Sequence, residues 1–266
     1  MKRIGIFVFI LLACCCAAMA EQPEWTYPLP PEILANNEGY ITLANKEVLL
    51  DADYAPQDLE KLAVRNVVDD PVRKAVNDAL VTMFADAEEN GYKLYVKSAY
   101  RSYQTQHTMY FNRLEKNNGK DDGWVSYPGA SDHQTGLGID VLNYAWTKKE
   151  GMNEKFALED EAKWMAENCW DYGFVIRYME DKEEITQINY EPWHLRYVGP
   201  EVAKYMQEMH YCLEEFTQEW QAYIEEYEAN GGDFNQLLKE RAAIEATVIG
   251  YSEDGEEEVS LSHNFY

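Results

Sequence analysis

Two short stretches of the sequence combine histidines with carboxylates in a pattern that suits a metal site. His133 lies in a Gly- and Ser-rich stretch, and Asp140 lies on the strand predicted to follow it. Glu191 and His194 add another carboxylate and a second imidazole further along the chain. Two histidines and one aspartate can bind zinc and leave a fourth coordination position for water, as catalytic zinc sites do. Spacing alone leaves open the alternative that these are ordinary polar loop residues.

The strand that carries Asp140 is predicted from the alternation of apolar and other residues over 137–141. If the apolar side of this strand faces the core, Asp140 shares the opposite side with Gly136 and Gly138. We expect these two glycines to leave room beside the carboxylate for an ion or for the backbone of a substrate.

The other elements follow from apolar periodicity, capping residues and the positions of Pro and Gly. Helices are predicted from Asp69-Asp70-Pro71 to Asn90, from Ser102 to Asn117, from Asp160 to Tyr172, from Pro200 to about Glu228 and from Asn235 to about Ala246. Strands are predicted over 94–98, 137–141, 174–178 and 193–198. Helices and strands mix without a regular alternation, which indicates an α+β fold rather than a doubly wound sheet.

Composition and charge narrow the classes of function. The chain is 46% hydrophobic and 14% aromatic, which excludes wholesale disorder. Its 23 basic and 48 acidic residues give a net charge of −25. Phosphate backbones repel a chain this acidic, so we expect no nucleic-acid partner. Beyond the N-terminal region the cysteines are Cys169 and Cys212, for which pairing and burial as free thiols are both open.

The N-terminus has the pattern of an export signal. Residues 1–20 begin with two basic residues, continue with an apolar run and end in Ala-Met-Ala, a pattern that signal peptidase cleaves before Glu21. A lipoprotein box ending at Cys14 is the alternative, and it would add a lipid anchor to the membrane. Either pattern predicts an extracytoplasmic protein. The Pro-rich residues 21–39 are predicted to be a linker.

Three blocks, in this order, resemble the signatures of the VanY-type D-alanyl-D-alanine carboxypeptidases. They are Ser98-Ala99-Tyr100-Arg101-Ser102, then Ser131-x-His133-x6-Asp140, then Glu191-Pro192-Trp193-His194-x-Arg196-Tyr197-Val198-Gly199. The similarity extends from about Ile41 to about Phe216. It implies the hedgehog-like zinc fold, a small antiparallel sheet that carries the zinc site and is flanked by helices. We expect this domain to span 40–229, with an acidic C-terminal extension over 230–266.

The resemblance also implies the role of each site residue. The ligands of one Zn²⁺ would be His133, Asp140 and His194. Glu191 matches the general base that activates water and later protonates the leaving amine. Arg101 matches the arginine that stabilises the scissile carbonyl as it becomes an oxyanion. Ser131 and Gln106 would hold the terminal D-alanine of the substrate. Departures from the family pattern, such as Asp132 where glutamate is common, touch no ligand and are expected to affect only substrate fit.

These observations predict an exported zinc carboxypeptidase that removes the terminal D-alanine from peptidoglycan stem peptides. An L,D-carboxypeptidase acting on tetrapeptide stems has the same blocks and is one alternative. A non-catalytic, zinc-stabilised module that binds the cell wall is another. Such a module has no need of both Glu191 and Arg101, and this chain contains both.

Overall fold

A computed structural model describes residues 22–253, which form two compact units. The larger unit comprises residues 27–224, and the smaller comprises residues 22–26 together with 225–253. The predicted signal peptide, Cys14 and the acidic run at 256–258 lie outside the described residues. The domain boundaries at 39/40 and 229/230 stay predictions. None of the helices between residues 22 and 253 combines the length and apolar character needed to span a bilayer.

Short strands and helices alternate irregularly along the described chain. The strands are β1 Leu59–Lys61, β2 Pro71–Arg73, β3 Leu94–Ser98, β4 Gly138–Asn143, β5 Phe174–Ile176 and β6 His194–Tyr197. The α-helices are α1 Pro31–Leu34, α2 Lys74–Glu89, α3 Tyr103–Lys116, α4 Tyr144–Thr147, α5 Asp160–Asn168, α6 Glu183–Thr186, α7 Pro200–Met209, α8 Leu213–Ala229 and α9 Phe234–Glu253. One 3₁₀ turn, Asp132–Thr135, bears on the site.

The larger unit is organised on an antiparallel sheet with the strand order β3-β4-β6-β5. Strands β1 and β2 form a separate antiparallel pair. The sheet packs against α2, whose core side is formed by Val76, Leu80, Met83 and Phe84 at helical spacing. These side chains share one apolar core with Ile139 and other residues of the sheet. The α+β class with a small antiparallel sheet and flanking helices is therefore confirmed.

Two predicted helices differ from those observed. Residues Pro71–Arg73 form β2 and pair with β1, so the first long helix begins at Lys74 and not beside Pro71. Proline fits a strand end because it has no N–H to contribute to the ladder. The helical region after Pro200 is divided into α7 and α8, because His210 adopts a left-handed backbone conformation with φ 54°. Cys169 and Cys212 are buried free thiols.

The ends of the larger unit lie side by side. The ring of Tyr27 lies 4.9 Å from that of Tyr223, centroid to centroid. Leu29 and Leu34, from the segment predicted as a linker, are buried. Within the smaller unit, the Trp25 ring packs against Tyr227 and Phe234 at 5.5 and 5.6 Å.

Candidate metal centre

The larger unit brings the three predicted zinc ligands together. Asp140 on β4 and His194 on β6 are directly opposite each other in the antiparallel ladder. Oδ1 of Asp140 lies 2.9 Å from Nδ1 of His194 and 3.4 Å from Nε2 of His133. One ligand atom from each of the three residues lies within 4.8 Å of the others, and all three side chains are buried.

His133 reaches the other two residues from the 3₁₀ turn that precedes β4. Its Nδ1 lies 2.6 Å from the backbone carbonyl of Ala99, and its own carbonyl accepts a hydrogen bond from the N–H of Arg101. A carbonyl can only accept, so Nδ1 carries the proton and Nε2 is left with a free lone pair. This is the tautomer that a ligand with Nε2 directed at a metal requires.

Burial and neighbouring charges keep His133 and Asp140 in the protonation states that metal binding requires. Burial, and next the charge of Arg101, lower the pKa of His133 to about 4. Burial also acts to raise the pKa of Asp140, but interactions with His133 and His194 outweigh it and hold that pKa below its ordinary value. Neutral imidazole and ionised carboxylate are the ligand forms of these side chains.

The donor set fits zinc. Nε2 of His133 is buried, and no residue described in the structure offers it an aligned hydrogen bond. Two nitrogens and one oxygen are donors that zinc accepts at about 2.0–2.2 Å, and tetrahedral neighbours then lie about 3.3 Å apart. The 3.4 Å separation of His133 and Asp140 matches that spacing. Three protein ligands leave one position for water or substrate, as in catalytic zinc sites.

Glu191 and Arg101 border this centre. The Glu191 carboxyl lies 3.8 Å from Nδ1 of His194, and burial together with the charge of Asp140 holds its pKa well above the ordinary value. Burial lowers the pKa of Arg101. Nη1 of Arg101 donates to Oε1 of Gln106 at 2.8 Å, which orients the guanidinium. Gln106 is in turn held by a 2.7 Å hydrogen bond to the carbonyl of Ser126.

All seven predicted site residues line one cleft of about 680 Å³. They are Arg101, Gln106, Ser131, His133, Asp140, Glu191 and His194. Ser131 is buried beside the 3₁₀ turn. The structure thus places the seven in one site, and the individual roles of Glu191, Arg101, Ser131 and Gln106 stay predictions.

Sequence reasoning missed Tyr178 and misread two glycines. Tyr178 is buried in the cleft with its ring 5.1 Å from that of His194, and only its place as the last residue of a predicted strand hinted at this. The expectation that Gly136 and Gly138 leave room for a ligand is wrong. A Cβ on Gly138 would lie 2.8 Å from Cβ of Asp132, and Gly136 ends the 3₁₀ turn with φ 68°.

Comparison with known proteins agrees with this geometry. Residues 69–200 match the family model described as "VanY: D-alanyl-D-alanine carboxypeptidase". The protein named "Putative carboxypeptidase YodJ" from Bacillus subtilis (strain 168) is 40% identical over 198 residues, which are 70% of this chain and 69% of the relative. This chain belongs to the VanY family. It is therefore a carboxypeptidase with the fold of the VanY and VanX zinc peptidases.

Two solved structures of similar proteins extend the comparison. The LdcB LD-carboxypeptidase superposes with a TM-score of 0.62 at 40% identity, covering 66% of this chain and 84% of that one. A mutant of the vancomycin resistance D,D-pentapeptidase VanY, in complex with Zn(II), superposes with a TM-score of 0.56 at 29% identity. That match covers 67% of this chain and 98% of the other. Zinc is accordingly the cofactor that the His133–Asp140–His194 triad accommodates.

Proposed function

We propose that this chain is an exported, zinc-dependent D-alanyl-D-alanine carboxypeptidase that removes the terminal D-alanine from peptidoglycan stem peptides. The observation that carries the proposal is the convergence of the buried triad with Glu191 and Arg101 in one cleft. The family model, with its description as a D-alanyl-D-alanine carboxypeptidase, supports the substrate class.

Each site residue has a task that its surroundings suit. Zinc, when bound by the triad, polarises the scissile carbonyl and makes water more acidic. Glu191 accepts the proton of the attacking water and delivers it to the leaving amine, and the burial that raises the pKa of its carboxyl helps it to hold the proton between the two transfers. Arg101, oriented by Gln106, directs its guanidinium at the carbonyl oxygen as negative charge develops there. Ser131 and Gln106 hold the terminal D-alanine.

Export follows from the substrate. Peptidoglycan lies outside the cytoplasmic membrane, so the enzyme must be extracytoplasmic to reach it. The export pattern of residues 1–20 supports this location. Cleavage at the Cys14 box would leave the enzyme attached to the outer face of the membrane, whereas cleavage after Ala20 would release it.

A second candidate is an L,D-carboxypeptidase that acts on tetrapeptide stems. It is favoured by the greater similarity of this chain to LdcB than to the D,D-pentapeptidase VanY, in both identity and TM-score. A non-catalytic binding module is disfavoured, because it has no use for a proton carrier and an oxyanion donor beside the metal ligands.

The test is digestion of purified pentapeptide and tetrapeptide muropeptides, followed by mass spectrometry. We expect the zinc-loaded protein to shorten the pentapeptide by one alanine. Glu191→Gln is expected to keep the fold and zinc but to lose nearly all turnover, since the amide cannot carry the proton. Glu184→Gln, an exposed change in the same part of the chain, is the matched control.

Each outcome of this digestion has a separate meaning. Shortening of the tetrapeptide alone would replace the D,D- with the L,D-activity. Intact peptides with zinc-loaded protein would favour the binding module. Normal turnover by Glu191→Gln would refute the role given to Glu191.

A further inference from the structure

A network of four charged side chains, three of them buried and the fourth partly buried, includes the residue that precedes His133 in the chain. It consists of Asp132, Arg177, Arg196 and Glu214, and is called the charge network below. Nε of Arg177 donates to Asp132 at 2.7 Å, and Nη1 of Arg196 donates to the other oxygen of the same carboxylate. Arg177 also makes a two-pronged pair with Glu214, at 2.7 and 2.8 Å. Asp132, Arg177 and Arg196 are at most 1% exposed. Two positive and two negative charges balance.

The charge network joins the elements that carry the metal ligands. Asp132 lies between Ser131 and His133 in the chain, at the start of the 3₁₀ turn. Arg196 lies on β6, the strand that begins with His194. The ion pair between Asp132 and Arg196 therefore ties the turn that holds one ligand to the strand that holds another.

The position of His133 depends on such a contact more than the positions of the other two ligands do. Asp140 and His194 are register partners, so the hydrogen bonds of the β4–β6 ladder fix their separation. His133 lies on a turn outside the ladder, and its place relative to β6 is set by other contacts. Its backbone and ring hydrogen bonds reach Ala99 and Arg101, which lie next to β3. The ion pair of Asp132 with Arg196 is a charged connection from this turn to β6.

We propose that Asp132 is a positioning residue of the metal centre, which holds His133 at bonding distance from a zinc ion shared with Asp140 and His194. The proposal rests on the proposed function, in that the triad is taken to bind zinc. Groups that orient metal ligands typically change metal affinity 10- to 100-fold when they are removed. From the sequence alone, Asp132 is expected to affect only substrate fit. A role in positioning a metal ligand goes beyond that expectation.

The primary test is the zinc affinity of Asp132→Asn, measured on folded protein by competition with a chromophoric chelator. We expect the dissociation constant for zinc to rise by about 10- to 100-fold, since the amide cannot pair ionically with Arg196. The visible spectrum of the Co²⁺-loaded variant is expected to change, because it reports ligand geometry. Thermal unfolding of the metal-free proteins is recorded in parallel.

Glu214→Gln is the matched control. It removes one carboxylate from the same Arg177, but Glu214 belongs to α8, where it pairs with Arg177 and accepts a hydrogen bond from Asn45 rather than from the turn that carries His133. We expect this variant to lose thermal stability while its zinc affinity and Co²⁺ spectrum stay those of the wild type. Equal losses of zinc affinity in both variants would overturn the proposal, because the effect would then come from general destabilisation.

A charge-balanced variant covers the case in which Asp132→Asn does not fold. The double substitution Asp132→Asn with Arg196→Gln leaves Arg177 paired with Glu214, so no buried charge is uncompensated. We expect the same weakening of zinc binding, since the ionic tie to β6 is absent. Wild-type zinc affinity in either folded variant would overturn the proposal.

The affinity readout separates this proposal from the proposed function. One possible outcome is that the wild type binds zinc, the Asp132 variants bind it more weakly, and none of the proteins cuts muropeptides. In that case the positioning role stands and the peptidase function fails. If the wild type cuts muropeptides and the Asp132 variants bind zinc normally, the positioning role alone fails.

Discussion

Replacement of Gly138 by alanine tests how tightly the turn that carries His133 is packed against β4. The added Cβ would lie 2.8 Å from Cβ of Asp132, 2.9 Å from its carbonyl carbon and 3.0 Å from the backbone nitrogen of His133. Two of these three atoms belong to the backbone, so a change of side-chain rotamer cannot relieve the overlap. The turn has to move away from β4 by roughly half an ångström to restore ordinary van der Waals distances.

The cost of that movement can be estimated. Overpacking a well-packed interior by a methyl group typically costs about 1–3 kcal/mol. For a unit of this size, each kcal/mol lowers the unfolding temperature by about 2–4 °C, so we expect Gly138→Ala to unfold roughly 2–12 °C below the wild type. Because the same movement draws His133 away from Asp140, zinc affinity is expected to fall as well.

Differential scanning calorimetry of the metal-free protein, followed by chelator competition, measures both effects. An unchanged unfolding temperature together with weakened zinc binding would refute the packing argument. That result would revive the view that Gly138 leaves open space for an ion or a substrate.

Three further expectations address the metal, the charge network and the helix that carries Gln106. Removal of zinc by a chelator is expected to abolish turnover and lower the unfolding temperature. A ligand present at a thousand times its dissociation constant stabilises the folded state by about 4 kcal/mol. Adding zinc back should restore both turnover and the unfolding temperature. Burial acts to raise the pKa of Glu214, but the charge of Arg177 outweighs it and the net pKa lies below the ordinary 4.5. The stabilisation from this carboxylate is therefore present above pH 4.5 and lost as the pH falls below it. In urea unfolding, the free energy of unfolding should fall less between pH 7 and pH 3 in Glu214→Gln than in the wild type. Equal losses in the two proteins would contradict a stabilising role of the ionised Glu214. Ser102→Ala removes the helix cap that accepts a hydrogen bond from the N–H of Thr105, and should lower the free energy of unfolding in urea by about 1 kcal/mol. An unchanged free energy of unfolding would show that the cap is dispensable.

The parts of the fold that follow from local pattern were predictable. The alternation over 137–141 and the extended stretch beginning near Trp193 predicted β4 and β6, and with them the strands that carry Asp140 and His194. The helix cap at Ser102 was evident from residue type alone, and the structure confirms it.

The parts that depend on distant partners were not predictable. Pro71 has the local pattern of a helix start, but pairing with β1 decides its conformation. His210 divides the helical region after Pro200 through a left-handed backbone that few residue types signal. Asp132 has the pattern of an ordinary loop carboxylate, since its arginine partners lie 45 and 64 residues away along the chain. For Pro71 and Asp132, a non-local contact outweighs the local preference.

The proximity of Tyr27 and Tyr223 has a topological consequence for the larger unit. A folded body whose chain enters and leaves at neighbouring points can be cut elsewhere and rejoined at those points without a change of interior. A short linker between residues 27 and 223, with new termini opened at the exposed residues 148–150, would yield a circular permutant of the unit. Its strands would keep their spatial order while their order along the chain changed.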